Sequence, residues 1–253
     1  MKILITTLLL VLCGATHLSA QATVEGLPKG AVIVEQRTIP SANRALVLWM
    51  LNPKRNPTNY QPDEVYTCPE YTRGSYLSGP TRVSLINSET KTLINTVQLK
   101  KDYEDGDDNF DLPYAIRKGY YYHVAQAAQS GVEVKPNIIW LRDYNGDGQA
   151  LEFALFDALA CMGLETTLIG YSPQTDKVIH YPIQLEEIEA TNRSTQTTFW
   201  ADYLMSKKPV RPGYWKYEID YSGRGGTLNV WEVRYNSAKE QFEGKVTRRS
   251  GEP

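Results

Sequence analysis

The chain has 253 residues, of which 42% are hydrophobic, 11% aromatic and 22% charged, and its formal net charge is -2. That apolar share is enough for a sizeable core and excludes a wholly disordered chain. A near-balanced charge with no long basic run makes nucleic acid and anionic membranes poor partners, since both are held by clustered Lys and Arg.

Residues 1–20 have the form of a signal peptide. Lys2 opens it, an apolar run follows from Ile3 to Leu12, and small residues close it at Ser19-Ala20 or Ala20-Gln21-Ala22. The run is about half of the roughly 20 residues that a membrane span needs, and no later segment comes close. The sequence therefore predicts a secreted or periplasmic protein without a membrane span. Cys13 follows Leu12 and not a small residue, which argues against a lipid anchor. The remaining 21–253 fits a single β-rich domain in length. Two cysteines lie in it, Cys68 and Cys161, and in an oxidising compartment such a pair is expected to form a disulfide. Two separate buried thiols are the alternative, favoured by the small apolar run from Ala158 to Met162 around Cys161.

Short apolar or alternating runs rich in Val, Ile, Tyr and Trp, broken by Gly, Pro, Asn and Asp, predict an all-β, mainly antiparallel fold of sandwich, barrel-like or propeller-fragment type. In chain order the strands are expected at Ala31 to Gln36, Ala45 to Leu51, Arg82 to Ile86, Leu93 to Leu99, Tyr120 to Val124 and Asn137 to Arg142. They continue at Leu151 to Phe156, Thr166 to Tyr171, Lys177 to Ile183, Tyr214 to Tyr221, Thr227 to Tyr235 and Gln241 to Thr247. Polar segments at Asn87 to Thr90, Pro173 to Asp176 and Asn236 to Lys239 read as hairpin turns. Pro53 to Pro69 reads as an irregular surface excursion. One short helix is expected at Thr197 to Lys207, where Phe199 with Tyr203 and Trp200 with Leu204 repeat at four-residue spacing and lysines close the end.

Asp143-Tyr144-Asn145-Gly146-Asp147-Gly148 carries the strongest chemical signal. Oxygen-bearing side chains fall at alternate positions and a glycine follows, as in a loop that wraps a hard cation. The flanks, Ile138 to Leu141 and Leu151 to Phe156, read as strands, and position twelve is Ala154 where an EF-hand needs Glu, so an EF-hand is disfavoured. These residues resemble the calcium loops of FG-GAP and VCBS-type repeats, over about twenty residues and in one copy. The resemblance implies Ca2+ held by Asp143, Asn145 and Asp147. It departs from the family at position nine, which is Leu151, so Glu152 enters by proximity, with the Gln149 backbone carbonyl as a further ligand. Two hairpin dipeptides, Asn145-Gly146 and Asp147-Gly148, or a different divalent ion are the alternatives. The acidic run from Asp102 to Asp111 lacks the alternating register and reads as a solvated loop.

Catalytic signals are sparse. His123 and His180 lie inside expected strands, where packing is the commoner role. No nucleophile elbow, zinc motif or phosphate loop occurs, and Gly223-Arg224-Gly225-Gly226 reads as a turn. Trp215, Tyr217, Ile219 and Tyr221 share one face of a strand, as a filled core or as a stacking platform for sugars. The function expected from the sequence is an exported β-rich domain with one structural calcium ion, a binding or structural protein and not an enzyme, with a glycan or protein as ligand. The alternatives are a calcium-assisted hydrolase of a glycan or envelope polymer, and a periplasmic inhibitor or partner protein.

Overall fold

The computed structural model describes residues 24–56, 76–100, 108–112, 137–159, 163–189, 192–198, 200–201, 209–220 and 227–250. These form fifteen strands in three sheets: β1 (Ala31–Ile39), β2 (Arg44–Leu51), β3 (Lys54–Asn56), β4 (Tyr76–Asn87), β5 (Leu93–Gln98), β6 (Asn109–Leu112), β7 (Glu152–Leu159), β8 (Gly163–Ser172), β9 (Lys177–His180), β10 (Ile183–Glu189), β11 (Asn192–Thr198), β12 (Trp200–Ala201), β13 (Tyr214–Asp220), β14 (Thr227–Asn236) and β15 (Gln241–Ser250).

The first sheet is built on β4, which is long enough to serve four partners. Its first half pairs with β3 and β6, and its second half with β2 and β5. β2 reads as a continuous apolar run because both of its faces are buried. Leu46, Leu48 and Met50 enter one core, while Ala45, Val47 and Trp49 enter a second beneath β1. The four-stranded sheet runs β12-β8-β7 with β9 on β8, and its Phe153, Leu155, Ile169 and Val178 complete the first core. Asn95 joins these two sheets as a surrogate strand: its amide donates to the Val178 carbonyl at 2.8 Å and accepts from the Val178 N–H at 2.9 Å.

The third sheet runs β11-β10-β15-β14-β13, antiparallel except for the parallel pair β10 and β15. Its inner face carries Ile183, Leu185, Trp215, Tyr217, Val233, Phe242 and Val246, which close a core with Leu168 and Tyr181. Trp215 meets Phe242 edge-on at 6.0 Å and Tyr217 stacks on Trp231 at 6.1 Å. The aromatic stripe is thus core on its described members; Tyr221 lies outside the described residues.

The helix expected at Thr197 to Lys207 is absent from the described residues, which contain no helix. Thr197 and Thr198 end β11, and Trp200 and Ala201 pair with Thr166 and Glu165 of β8. β-branched threonines in a polar run favour the extended backbone, and sheet partners on both sides of residue 199 override a four-residue aromatic spacing. Residues 199 and 202–208 lie outside the described residues. The strand expected at Asn137 to Arg142 is also corrected. Ile138 and Ile139 are buried in the first core, but the segment pairs with another strand only through the single bridge of Arg142 to Glu152. The Trp140 N–H turns back to the Ile138 carbonyl at 2.9 Å, which an extended strand does not allow. Glu35 of β1 fixes this segment by accepting the Ile138 N–H at 2.7 Å.

The expected run Lys177 to Ile183 breaks at Tyr181-Pro182 and changes sheet, giving β9 and β10. The end of the acidic run is not a solvated loop: Asn109–Leu112 is a strand on β4, with Phe110 buried. The signal peptide, the strand at Tyr120 to Val124, most of the Pro53 to Pro69 excursion and the Gly223 to Gly226 turn lie outside the described residues. Cys68 and Cys161 do too. No disulfide is found among the described residues, and both cysteines of the expected pair lie outside them; hydrogen bonds and apolar packing hold the described sheets together. No helix among them is long and apolar enough to cross a membrane, which says nothing of a β-barrel.

Candidate functional site

The Asp143 loop is closed by a two-way backbone bridge. The Arg142 N–H donates to the Glu152 carbonyl at 2.7 Å and the Glu152 N–H to the Arg142 carbonyl at 3.1 Å. Within it the expected ligands are taken by the loop's own donors. Asp143 accepts the N–H groups of Gly146 at 2.7 Å and Gly148 at 3.0 Å. Asn145 Oδ1 accepts the Asp147 N–H at 2.9 Å, Asp147 Oδ1 accepts the Gln149 N–H at 2.8 Å, and the Gln149 carbonyl accepts the Leu151 N–H at 3.1 Å. Fixing Asn145 Oδ1 in that way fixes its amide nitrogen too. Nδ2 lies between Asp147 Oδ2 at 3.2 Å and Glu152 Oε1 at 3.0 Å.

An amide NH2 therefore occupies the point between two carboxylates where a cation is required. Glu152 is turned under the loop and wholly buried, its other oxygen accepting the N–H of Tyr144 at 2.9 Å and of Asn145 at 3.4 Å. Among the described residues no three His, Cys, Asp or Glu side chains are grouped to hold a metal. The expectation of a metal-binding, calcium-binding loop is corrected on that ground: Asp143, Asn145, Asp147, Gln149 and Glu152 lie together, but as a self-satisfied clasp. Burial pushes the Glu152 carboxyl up to about 8; the Tyr144 and Asn145 N–H groups oppose this, and Asp147 and Asp143 add to it.

What the loop does sterically is plain from Gly146. At φ 81° a Cβ there would lie 2.7 Å from the carbonyl carbon and oxygen of Pro212, so the loop backbone rests on the turn that enters β13. That turn is tight, with the Tyr214 N–H on the Arg211 carbonyl at 2.9 Å. Tyr144 packs into both the first and third cores, and Gly170 leaves room for the Glu152 side chain above β8. The loop fastens the first core to the third sheet.

That turn edges a feature which the sequence reading missed, a groove of about 740 Å³ on the outer face of the third sheet. Two rows of side chains floor it. Tyr214, Arg234, Glu243 and Gln184 stand opposite one another on β13, β14, β15 and β10, and Glu232, Lys245, Glu186 and Thr195 form the next row. Arg211 closes one end, its guanidinium 5.5 Å above the Tyr214 ring. Charges of opposite sign alternate across the strands, which stabilises the pairing. Arg193 holds the Glu186 carboxyl below the usual range, and Lys239 with Asn236 does the same for Glu243. Lys216 pairs with Glu232 at 3.0 Å. The signal in the sequence was the alternation Tyr214-Lys216, Glu232-Arg234, Glu243-Lys245; β10, which adds Gln184 and Glu186, was not separated from β9.

Of the histidines, His123 lies outside the described residues. His180 is in β9, and burial lowers its imidazole to about 4, which keeps it neutral. Comparison with known protein families, with curated proteins and with solved structures finds no match to this chain.

Proposed function

We propose that the chain is a non-catalytic binding protein of the secreted or periplasmic space, and that the outer groove of the third sheet is its binding site. The observation that supports binding over turnover is the state of the carboxylates. Glycoside hydrolysis needs a protonated acid and a carboxylate, about 5–10 Å apart and both in reach of the substrate. In the groove, Glu186, Glu232 and Glu243 each have a cationic partner, and a paired carboxylate is a poor proton donor. The carboxyl that is pushed up, Glu152, is wholly buried beneath the loop and takes no part in the groove lining.

The test is a panel of acidic and neutral polysaccharides, each scored for retardation of the full chain in affinity electrophoresis and for newly formed reducing ends. Retardation without new reducing ends is expected. New reducing ends, or no retardation by any polymer, would overturn the proposal.

A further inference from the structure

We infer that the groove takes an anionic glycan, a hydroxyl-rich chain that carries carboxylates. The inference rests on the groove being the binding site, and goes further by naming the ligand's chemistry. It follows from how the charges are committed. Each acid of the lining is held by a cation that is not part of the lining: Glu186 by Arg193, Glu232 by Lys216 at 3.0 Å, and Glu243 by Lys239 at 2.9 Å. The cations of the lining are then in excess. Arg234 stands 3.8 Å from a Glu243 that Lys239 already holds more closely, and neither Lys245 nor Arg211 has an ion pair among the described residues. The lining holds three acids (Glu186, Glu232, Glu243) and three cations (Arg211, Arg234, Lys245), and with the partners Arg193, Lys216 and Lys239 there are six cations to three acids. This is a local positive excess on a chain of net charge -2, and it complements an anion.

The remaining lining decides which anion. A protein partner needs an apolar centre for its anchors, and here Tyr214 is the one aromatic and no aliphatic side chain lines the groove. A nucleic acid needs an unbroken row of cations, and here carboxylates interrupt it. Sugar hydroxyls donate as well as accept. Carboxylate oxygens of Glu186 and Glu232, the Gln184 amide and the Thr195 and Tyr214 hydroxyls supply both sides of such bonds, and the Arg and Lys groups meet the ligand's carboxylates.

The probe is polygalacturonate against its fully methyl-esterified form, the same polymer without the charge, titrated into the full-length chain by calorimetry. The acid form is expected to bind more tightly and to weaken as salt rises from about 0.05 to 0.5 M. Lys245→Gln and Arg211→Gln are expected to weaken it roughly three- to fivefold each without moving the melting midpoint. Both positions are exposed, so the fold is not at stake, and either variant alone suffices. Equal binding of the two forms would sink the anionic ligand and leave the groove standing as a binding site. Failure of both forms would count against both readings. Tight binding unchanged in the two variants would move the ligand elsewhere on the molecule.

Discussion

The buried Glu152 makes stability depend on pH in a direction opposite to that of most carboxylates. Its folded value of about 8 lies above the ordinary 4.5, so the native state binds the proton more tightly than the unfolded chain. The associated stability is fully present below about 4.5 and is lost as pH rises through 8. His180 acts in the other direction. Its value falls from 6.5 to about 4, so it contributes stability above 6.5 that is lost as the pH drops toward 4. The two slopes oppose each other in the acid range, and above pH 6.5 only that of Glu152 remains. Between pH 6.5 and 9 the loss comes to about 2 kcal/mol, or about 4–8 °C in melting midpoint. The assay is thermal unfolding of the full chain and of Glu152→Gln across that range. The variant keeps an acceptor for the Tyr144 N–H but carries no charge, so its curve is expected to stay above that of the wild type by a margin that widens with pH. Parallel curves, or a wild type that gains on the variant as pH rises, would refute the reasoning.

The clasp predicts that added calcium at about 1 mM, or a chelator, leaves the melting midpoint unchanged. A site filled to a hundred times its dissociation constant would add about 2.7 kcal/mol, and such a shift would show that a cation displaces the Asn145 amide. Gly146→Ala drives a Cβ to 2.7 Å from the Pro212 backbone and is expected to cost about 3 kcal/mol, read by urea unfolding. Gly148→Ala, at the similar φ of 86° but with nothing within 4 Å, is expected to cost only about 1 kcal/mol; equal losses would show that strain and not the Pro212 contact governs. Gly170→Ala places a Cβ 2.8 Å from Glu152 Cγ and 2.9 Å from the Leu151 carbonyl oxygen, so it too is expected to lower the urea midpoint.

Hairpins were legible because their signals are local. Asn87 and Asn236 each cap their own turn, accepting N–H groups two and three residues on, and the strands on either side pair as their alternation predicts. β11 and β12 were not legible, since Thr and Gln strands owe their existence to partners distant in sequence, β10 and β8. β3 is three polar residues held on β4, and β6 hides at the end of an acidic run because two buried residues, Phe110 and Leu112, secure it. Ile138-Ile139 misled for the opposite reason: apolar character says that a residue is buried but not that the backbone is extended.

The Asp143 motif was legible as a loop but not in its purpose, and the difference turns on one side chain. Alternating Asp and Asn residues bend a backbone by accepting its N–H groups, and they do so with or without an ion at the centre. A cation has to be the one partner that two carboxylates share. In this loop the Asn145 amide already has that position between Asp147 and Glu152, and it is held there because its oxygen is committed to the Asp147 N–H. With its charges bridged by a neutral donor, the loop is free to present backbone, and the bare Gly146 meets Pro212 at the turn bearing Arg211. The loop thus rests on the turn that carries one of the groove's cations. Gly146→Ala should weaken polyuronate binding together with stability, whereas Gly148→Ala should leave binding as it is.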